Sequence, residues 1–353
     1  MWRSVPYWSD ETEAGAMMAR MWWWAGAAMA LAACAGQQAK GPAPESYTAA
    51  TTYAKLAPKY PFIRIAGSTV PASVRAVRDI AYVRRGAHDL KLDLYMPADR
   101  GTPPHPAIVF VHGGGWRTGV RANFAPMAIR MAERDYVAAT IDYRLSPEAP
   151  YPAAIHDAKA AVRWVRAHAA DYGIDPDRIA IAGGSAGGQI AALTGVTNDE
   201  ARFDPDGAPG AVPSKVQAIV NIDGLSDFTS EEARKYEDDP AKQPSAAGAW
   251  FGGRYAQQPA LWRDASPLFH VAPSTPPTLF IVSAQRRFSL GREEMVAKMR
   301  ALGVASRVVP VPDTPHSFWL FDPWLAPTVE ATDAFLRTVM PPRTGSPGSP
   351  PAA

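Results

Sequence analysis

The chain of 353 residues has a single cysteine, so internal disulfides and cysteine-based metal sites are excluded. It also lacks an excess of charge of either sign. Lys and Arg total 36 against 34 Asp and Glu, and no Lys/Arg-rich run occurs, which rules out the basic stripe of a nucleic-acid binder. No apolar run reaches the ~20 residues that a bilayer-spanning helix needs. Phosphate-binding loops, metal-ligand clusters and internal repeats are missing as well. What is present is 47% hydrophobic residues, enough for a substantial core in one large or two small domains at ~100–200 residues each.

The apolar stretch Met21–Ala33 follows Arg20 and suits the hydrophobic region of an export signal. It ends in Leu31-Ala32-Ala33-Cys34, which resembles a bacterial lipobox, with Cys34 the acceptor of a diacylglycerol anchor. Ala35, in place of Asp, implies sorting to the outer membrane, facing periplasm or exterior. Asp10, Glu11 and Glu13 do not belong in a basic leader, so the leader is read from Met17, Met18 or Met21. The expected organisation is a signal with lipobox over 1–34, a flexible tether over 35–61, a globular domain over 62–340 and a disordered Pro/Gly/Ser-rich tail over 341–353. The lipid anchor is the one contact with a membrane that this reading implies.

Within the domain, short apolar runs alternate with amphipathic stretches. Strands are expected at Ile80–Val83, Leu90–Tyr95, Ala107–Val111, Tyr136–Ile141, Arg178–Ala182, Val216–Ile222, Thr278–Val282 and Arg307–Val311. Helices are expected at Ala122–Arg134, Ala153–Ala170, Ala186–Leu193, Arg292–Ala301 and Thr328–Val339. The alternation predicts an α/β domain with a mostly parallel, doubly wound sheet. Residues 223–275, rich in Trp, Gly, Pro and charge, show no clean period and read as an insertion over the site.

Two motifs carry chemistry. Gly183-Gly184-Ser185-Ala186-Gly187 joins an expected strand to an expected helix, the setting in which a Gly-x-Ser-x-Gly turn lifts a serine hydroxyl above the sheet. His112-Gly113-Gly114-Gly115-Trp116 directly follows the strand Ala107–Val111. Its glycines let backbone approach a substrate, and the N–H groups of Gly114, Gly115 and Ala186 are candidates for an oxyanion hole. The position of His112 inside this loop points to a structural role.

In this order, with Asp142-Tyr143-Arg144-Leu145-Ser146-Pro147-Glu148 between them, the motifs resemble the α/β-hydrolase superfamily. The nearest branches are the hormone-sensitive-lipase-like esterases and the acetyl-xylan/feruloyl-type carbohydrate esterases. The resemblance implies an eight-stranded, mostly parallel sheet flanked by helices with a lid-like insertion, and cofactor-free, metal-free ester hydrolysis by Ser185. It also places the base at His316, in Pro312-Asp313-Thr314-Pro315-His316 after the last strand; His270 is the rival. Where such esterases carry their acid, after Thr278–Val282, this chain reads Ser283-Ala284-Gln285-Arg286-Arg287-Phe288-Ser289, with no carboxylate. Asp223, at the tip of the neighbouring strand, is taken as the acid, with Asp227 and Asp313 as alternatives; Glu293 and Glu294 fall on a helix.

Trp116, Trp250, Phe251, Trp262, Trp319 and Trp324 are placed near the site, with Trp116, Trp319 and Arg287 as substrate-binding candidates. Arg286 and Arg287 suggest pairing with a uronate carboxylate. The expected substrate is a small acyl ester, chiefly acetyl, on a polysaccharide. The alternatives are a short-chain lipase or carboxylesterase, and a non-catalytic glycan-binding protein suggested by the missing acid.

Overall fold

The computed structural model describes residues 46–99, 104–146, 148–208 and 210–341. The expected signal run, Cys34, residues 35–45 of the tether and residues 342–353 of the tail lie outside the described residues. Among the described residues, no helix is long and apolar enough to cross a membrane.

The strands are β1 (Arg64–Ile65), β2 (Val74–Arg85), β3 (His88–Pro97), β4 (His105–Val111), β5 (Val137–Ile141), β6 (Ile174–Gly184), β7 (Ala218–Ile222), β8 (Thr278–Val282), β9 (Ser306–Pro310) and β10 (Phe321–Asp322). Eight of them form one sheet in the order β2-β3-β5-β4-β6-β7-β8-β9, while β1 pairs with β10. The pairings are antiparallel at β2–β3 and β3–β5 and parallel from β5 to β9. This is the expected α/β-hydrolase architecture.

The continuous apolar runs are explained by burial on both faces. Along β4, Ala107, Val109 and Val111 face one core cluster, shared with helices Ala153–Ala167 and Ala186–Val196. Ile108 and Phe110 face the other, shared with helices Ala125–Ala132 and Leu325–Val339. The hairpin strands run longer than the apolar spacing suggested, because antiparallel pairing carries the polar ends of β2 and β3 along.

Register aligns the carboxyl ends of the central strands. Val111 pairs with Gly183, Gly184 with Ile222, Ile222 with Ile281, and Val282 with Pro310. The loops that begin at His112, Ser185, Asp223, Ser283 and Val311 therefore open side by side at one end of the sheet, where ligands bind on such folds.

One expectation is corrected. Residues 46–61 are not a tether. Thr48 and Thr51 form a capping box that starts helix Ala49–Leu56, and Tyr47, Tyr53 and Leu56 pack against the second core cluster. Residues 223–275, read as an insertion, hold helices Glu231–Glu237, Ala246–Phe251 and Pro259–Asp264. Each is too short for its period to stand out in the sequence.

Candidate active site

Ser185 caps the helix Ala186–Val196 with φ 58° and ψ −125°. An L-residue with positive φ is held there at a cost of ~1–3 kcal/mol, so its neighbours must enforce it. They do so by close packing. A Cβ on Gly183 or Gly187 would overlap the carbonyl oxygens of Gly187 and Val111 respectively. The Ser185 N–H is fixed by the Ile222 carbonyl at 2.9 Å. Asp223 (φ 49°) and Ser317 (φ 70°) also have positive φ, so unusual backbone gathers where the strand ends meet.

Three side chains converge there. His316 Nε2 lies 2.8 Å from Ser185 Oγ, and His316 Nδ1 lies 3.1 Å from Asp223 Oδ2. The other carboxylate oxygen of Asp223 accepts the Ser283 N–H at 2.8 Å, and its side chain is fully buried. A buried carboxylate facing Nδ1 fixes the tautomer with Nδ1–H, which leaves Nε2 free to accept the serine proton. The carboxylate missing after β8 thus has a counterpart after β7, and the β8 loop supplies its backbone anchor.

The competing carboxylates are elsewhere. Asp227 accepts from the Thr229 N–H and hydroxyl and from the Ser230 N–H, forming a local turn. Asp313 is exposed, and Glu293 pairs with Arg292. His270 is engaged by Glu200 at 2.7 Å and by the Asp264 carbonyl.

The glycine loop lies against the serine turn. A Cβ on Gly113 would sit 2.7 Å from the Gly184 carbonyl oxygen, and one on Gly114 (φ 124°) would overlap the Thr118 backbone. His112 is buried, with Nδ1 2.8 Å from the Gly113 carbonyl and its ring stacked on Tyr143 at 4.4 Å. Burial pulls its pKa down to about 4, so at neutral pH it is an uncharged clamp on the loop.

A cavity of about 320 Å³ opens on Ser185, lined by Gly114, Gly115, Ala186, Asp223 and His316. Its apolar lining is Trp116, Leu225, Ala246 and Phe288; its polar lining includes Thr51, Thr52, Lys55, Glu237 and Arg287. Tyr47, which no sequence motif marks, joins this wall. Its hydroxyl donates to Ser317 Oγ at 2.9 Å, next to His316, while burial holds its phenol protonated well above the usual range.

Two candidate binding aromatics are reassigned. Trp116 borders the cavity, but it is 4% exposed, stacked on Trp250 at 4.9 Å and 9°, and bonded through Nε1 to Gln189. It is a wall with its face already covered. Trp319 is buried under Gly184 and meets the His316 ring edge-on at 5.4 Å. Trp250, Phe251 and Trp262 form the core of the insertion, and Trp324 packs on Tyr60 and Phe62. Arg286 is largely exposed and pairs with Glu232 outside the cavity lining, whereas Arg287 lines the cavity and pairs with buried Glu237 at 3.2 Å.

Fold, strained serine turn and hydrogen-bonded Ser–His–Asp chain together define an α/β-hydrolase. The BD-FAE family model matches residues 92–286, more than half of the sequence, and the chain belongs to that family. Esterase LipC of Mycobacterium tuberculosis is 32% identical over 265 residues, covering 70% of this chain and 62% of that protein. Esterase LipQ of the same organism is 33% identical over 285 residues, covering 76% and 63%. The chain thus spans less than two thirds of the length of these relatives. Among solved structures, the apo form of Thermogutta terrifontis esterase 2 aligns with a TM-score of 0.62 at 27% identity, over 77% of this chain and 96% of that one.

Proposed function

We propose that this protein is a serine carboxylic-ester hydrolase acting through an acyl-enzyme. The observation that carries this reading is the chain Ser185 Oγ–His316 Nε2 at 2.8 Å and His316 Nδ1–Asp223 Oδ2 at 3.1 Å. Ser185 attacks the ester carbonyl as His316 takes its proton. The N–H groups of Gly114, Gly115 and Ala186 stabilise the oxyanion, with the start of helix Ala186–Val196 adding its dipole. The tetrahedral intermediate collapses, the C–O bond to the alcohol breaks, and His316 protonates the leaving oxygen. Water, deprotonated by His316, then attacks the acyl-enzyme and releases the acid and Ser185. The pairing of His316 with Asp223 supports catalysis over the glycan-binding alternative.

The favoured substrate is a short acyl ester of a polar alcohol, such as an acetylated carbohydrate. The small cavity supports a short acyl group, and the butyrate-bound form of the Thermogutta esterase, to which this chain is similar, agrees with it. The hydroxyls of Thr51 and Thr52 with Lys55, Glu237 and Arg287 support a hydroxylated alcohol portion, since a polar lining binds such groups better than an alkyl chain. Arg287 is the remaining candidate for a uronate carboxylate. Hydrolysis of p-nitrophenyl acetate, acetylated xylan and long-chain esters, each with parent and Ser185→Ala, tests both levels. Activity of the variant equal to the parent's contradicts the serine mechanism, and a preference for long-chain esters contradicts the short-acyl assignment.

The apolar leader and Cys34 support export and lipid anchoring. Labelling of the full chain with a radioactive fatty acid in a bacterial host, lost on Cys34→Ala, is the expected result; unchanged labelling refutes the anchor.

A further inference from the structure

The turn Arg286–Ser289 occupies the place where the resemblance put an acid, and one of its side chains reaches the base. The Phe288 ring lies parallel to the His316 imidazole, with centroids 3.4 Å apart and planes 10° off parallel. At that separation the rings overlap with almost no offset. Two neutral aromatic rings avoid such a sandwich and prefer offset or edge-to-face contacts, because their like-signed faces repel. A cation above the face of a phenyl ring is attracted instead. Trp319 meets the same imidazole at 86°, the arrangement that suits a neutral ring.

We propose that Phe288 is a positioning residue for His316: it fixes the imidazole plane and stabilises the imidazolium that forms in the transition state. This rests on the serine-hydrolase reading. When Ser185 Oγ gives its proton to Nε2, the positive charge spreads over the ring. Asp223 meets that charge at the Nδ1 edge and Phe288 meets it at the face. The attraction appears only while the ring is charged, so it lowers the barrier without tightening the ground-state complex. It therefore acts on kcat and leaves KM for a small ester nearly unchanged. Arg287, 5.0 Å over the same phenyl ring, is held by Glu237 at 3.2 Å.

The test replaces Phe288 with mono-, di- and trifluorophenylalanine, which drain the negative face of the ring while nearly keeping its shape, alongside Phe288→Tyr and Phe288→Leu. The readout is kcat and KM on p-nitrophenyl acetate. The expected result is a stepwise fall in kcat with each fluorine, reaching roughly 3- to 30-fold, with KM steady. Phe288→Leu falls as far, while Phe288→Tyr retains most of the parent rate. Equal kcat across the fluorinated series, or a leucine variant as fast as the parent, overturns the proposal and leaves the serine mechanism standing. Parent activity that survives Ser185→Ala overturns the mechanism, and the role of Phe288 falls with it.

Discussion

Replacing Asp223 by asparagine is the sharpest perturbation, because the structure dictates how the amide must sit. One oxygen of Asp223 accepts the backbone N–H of Ser283 at 2.8 Å, and the other faces Nδ1 of His316 at 3.1 Å. Asparagine has one oxygen and one NH2. If the NH2 faced Ser283, two donors would meet in a fully buried place, so the oxygen stays on Ser283 and the NH2 turns to His316. Nδ1 then accepts, Nε2 carries the proton, and the imidazole cannot take a proton from Ser185. The backbone need not move, since φ 49° suits asparagine as well as aspartate. The expected loss is therefore one of tautomer, about 10⁴-fold in kcat by analogy with the same change in a serine protease, or about 5.5 kcal/mol of transition-state stabilisation. KM and folding should change little. Steady-state hydrolysis of p-nitrophenyl acetate with parent and Asp223→Asn reads it, with circular dichroism to confirm the fold. A loss below tenfold refutes the reasoning and returns the acid to another residue.

Other outcomes follow from the same geometry. His112 has a pKa lowered to about 4 by burial, against 6.5 unfolded, so the unfolded chain binds the extra proton between those values. Its contribution is intact above pH 6.5 and is lost as pH falls toward 4, by up to about 3 kcal/mol; urea midpoints at pH 7 and 5 should differ more in the parent than in His112→Asn. Gly184→Ala would put a Cβ 2.5 Å from the Trp319 ring, costing about 1–3 kcal/mol and disturbing His316; a lower denaturation midpoint together with a lower kcat is expected, and an unchanged midpoint contradicts it. Tyr47→Phe leaves buried Ser317 Oγ without its donor, which should cost about 1 kcal/mol in urea unfolding and slow the reaction several-fold; a silent variant refutes the role given to residues 46–56.

What the sequence made legible is what is written in close-packed glycines and in strand periodicity. Gly183 and Gly187 cannot bear side chains, and that need shows as a motif around Ser185. Strand β8 matched its apolar run residue for residue, being buried on both faces. Aromatic residues misled, because Trp116 and Trp319 announce burial but not direction: both lie beside the cleft, with their ring faces or edges already taken. The helix Ala49–Leu56 was hidden by the Ala- and Pro-rich composition around it, although the Thr48–Thr51 capping box was there to read. Phe288 left no signal at all. Its place against His316 comes from the register of β8 beside β9 and from the turn that follows β8, neither of which has a local pattern.

The central claim is that Ser185 is a nucleophile activated by His316. Incubating the full chain with a diethyl phosphoryl ester and measuring intact mass and peptide fragments tests it directly. One diethylphosphoryl group per chain on Ser185, with none on Ser185→Ala, is the predicted result. No adduct on the parent, or one placed equally on the variant, would contradict the account.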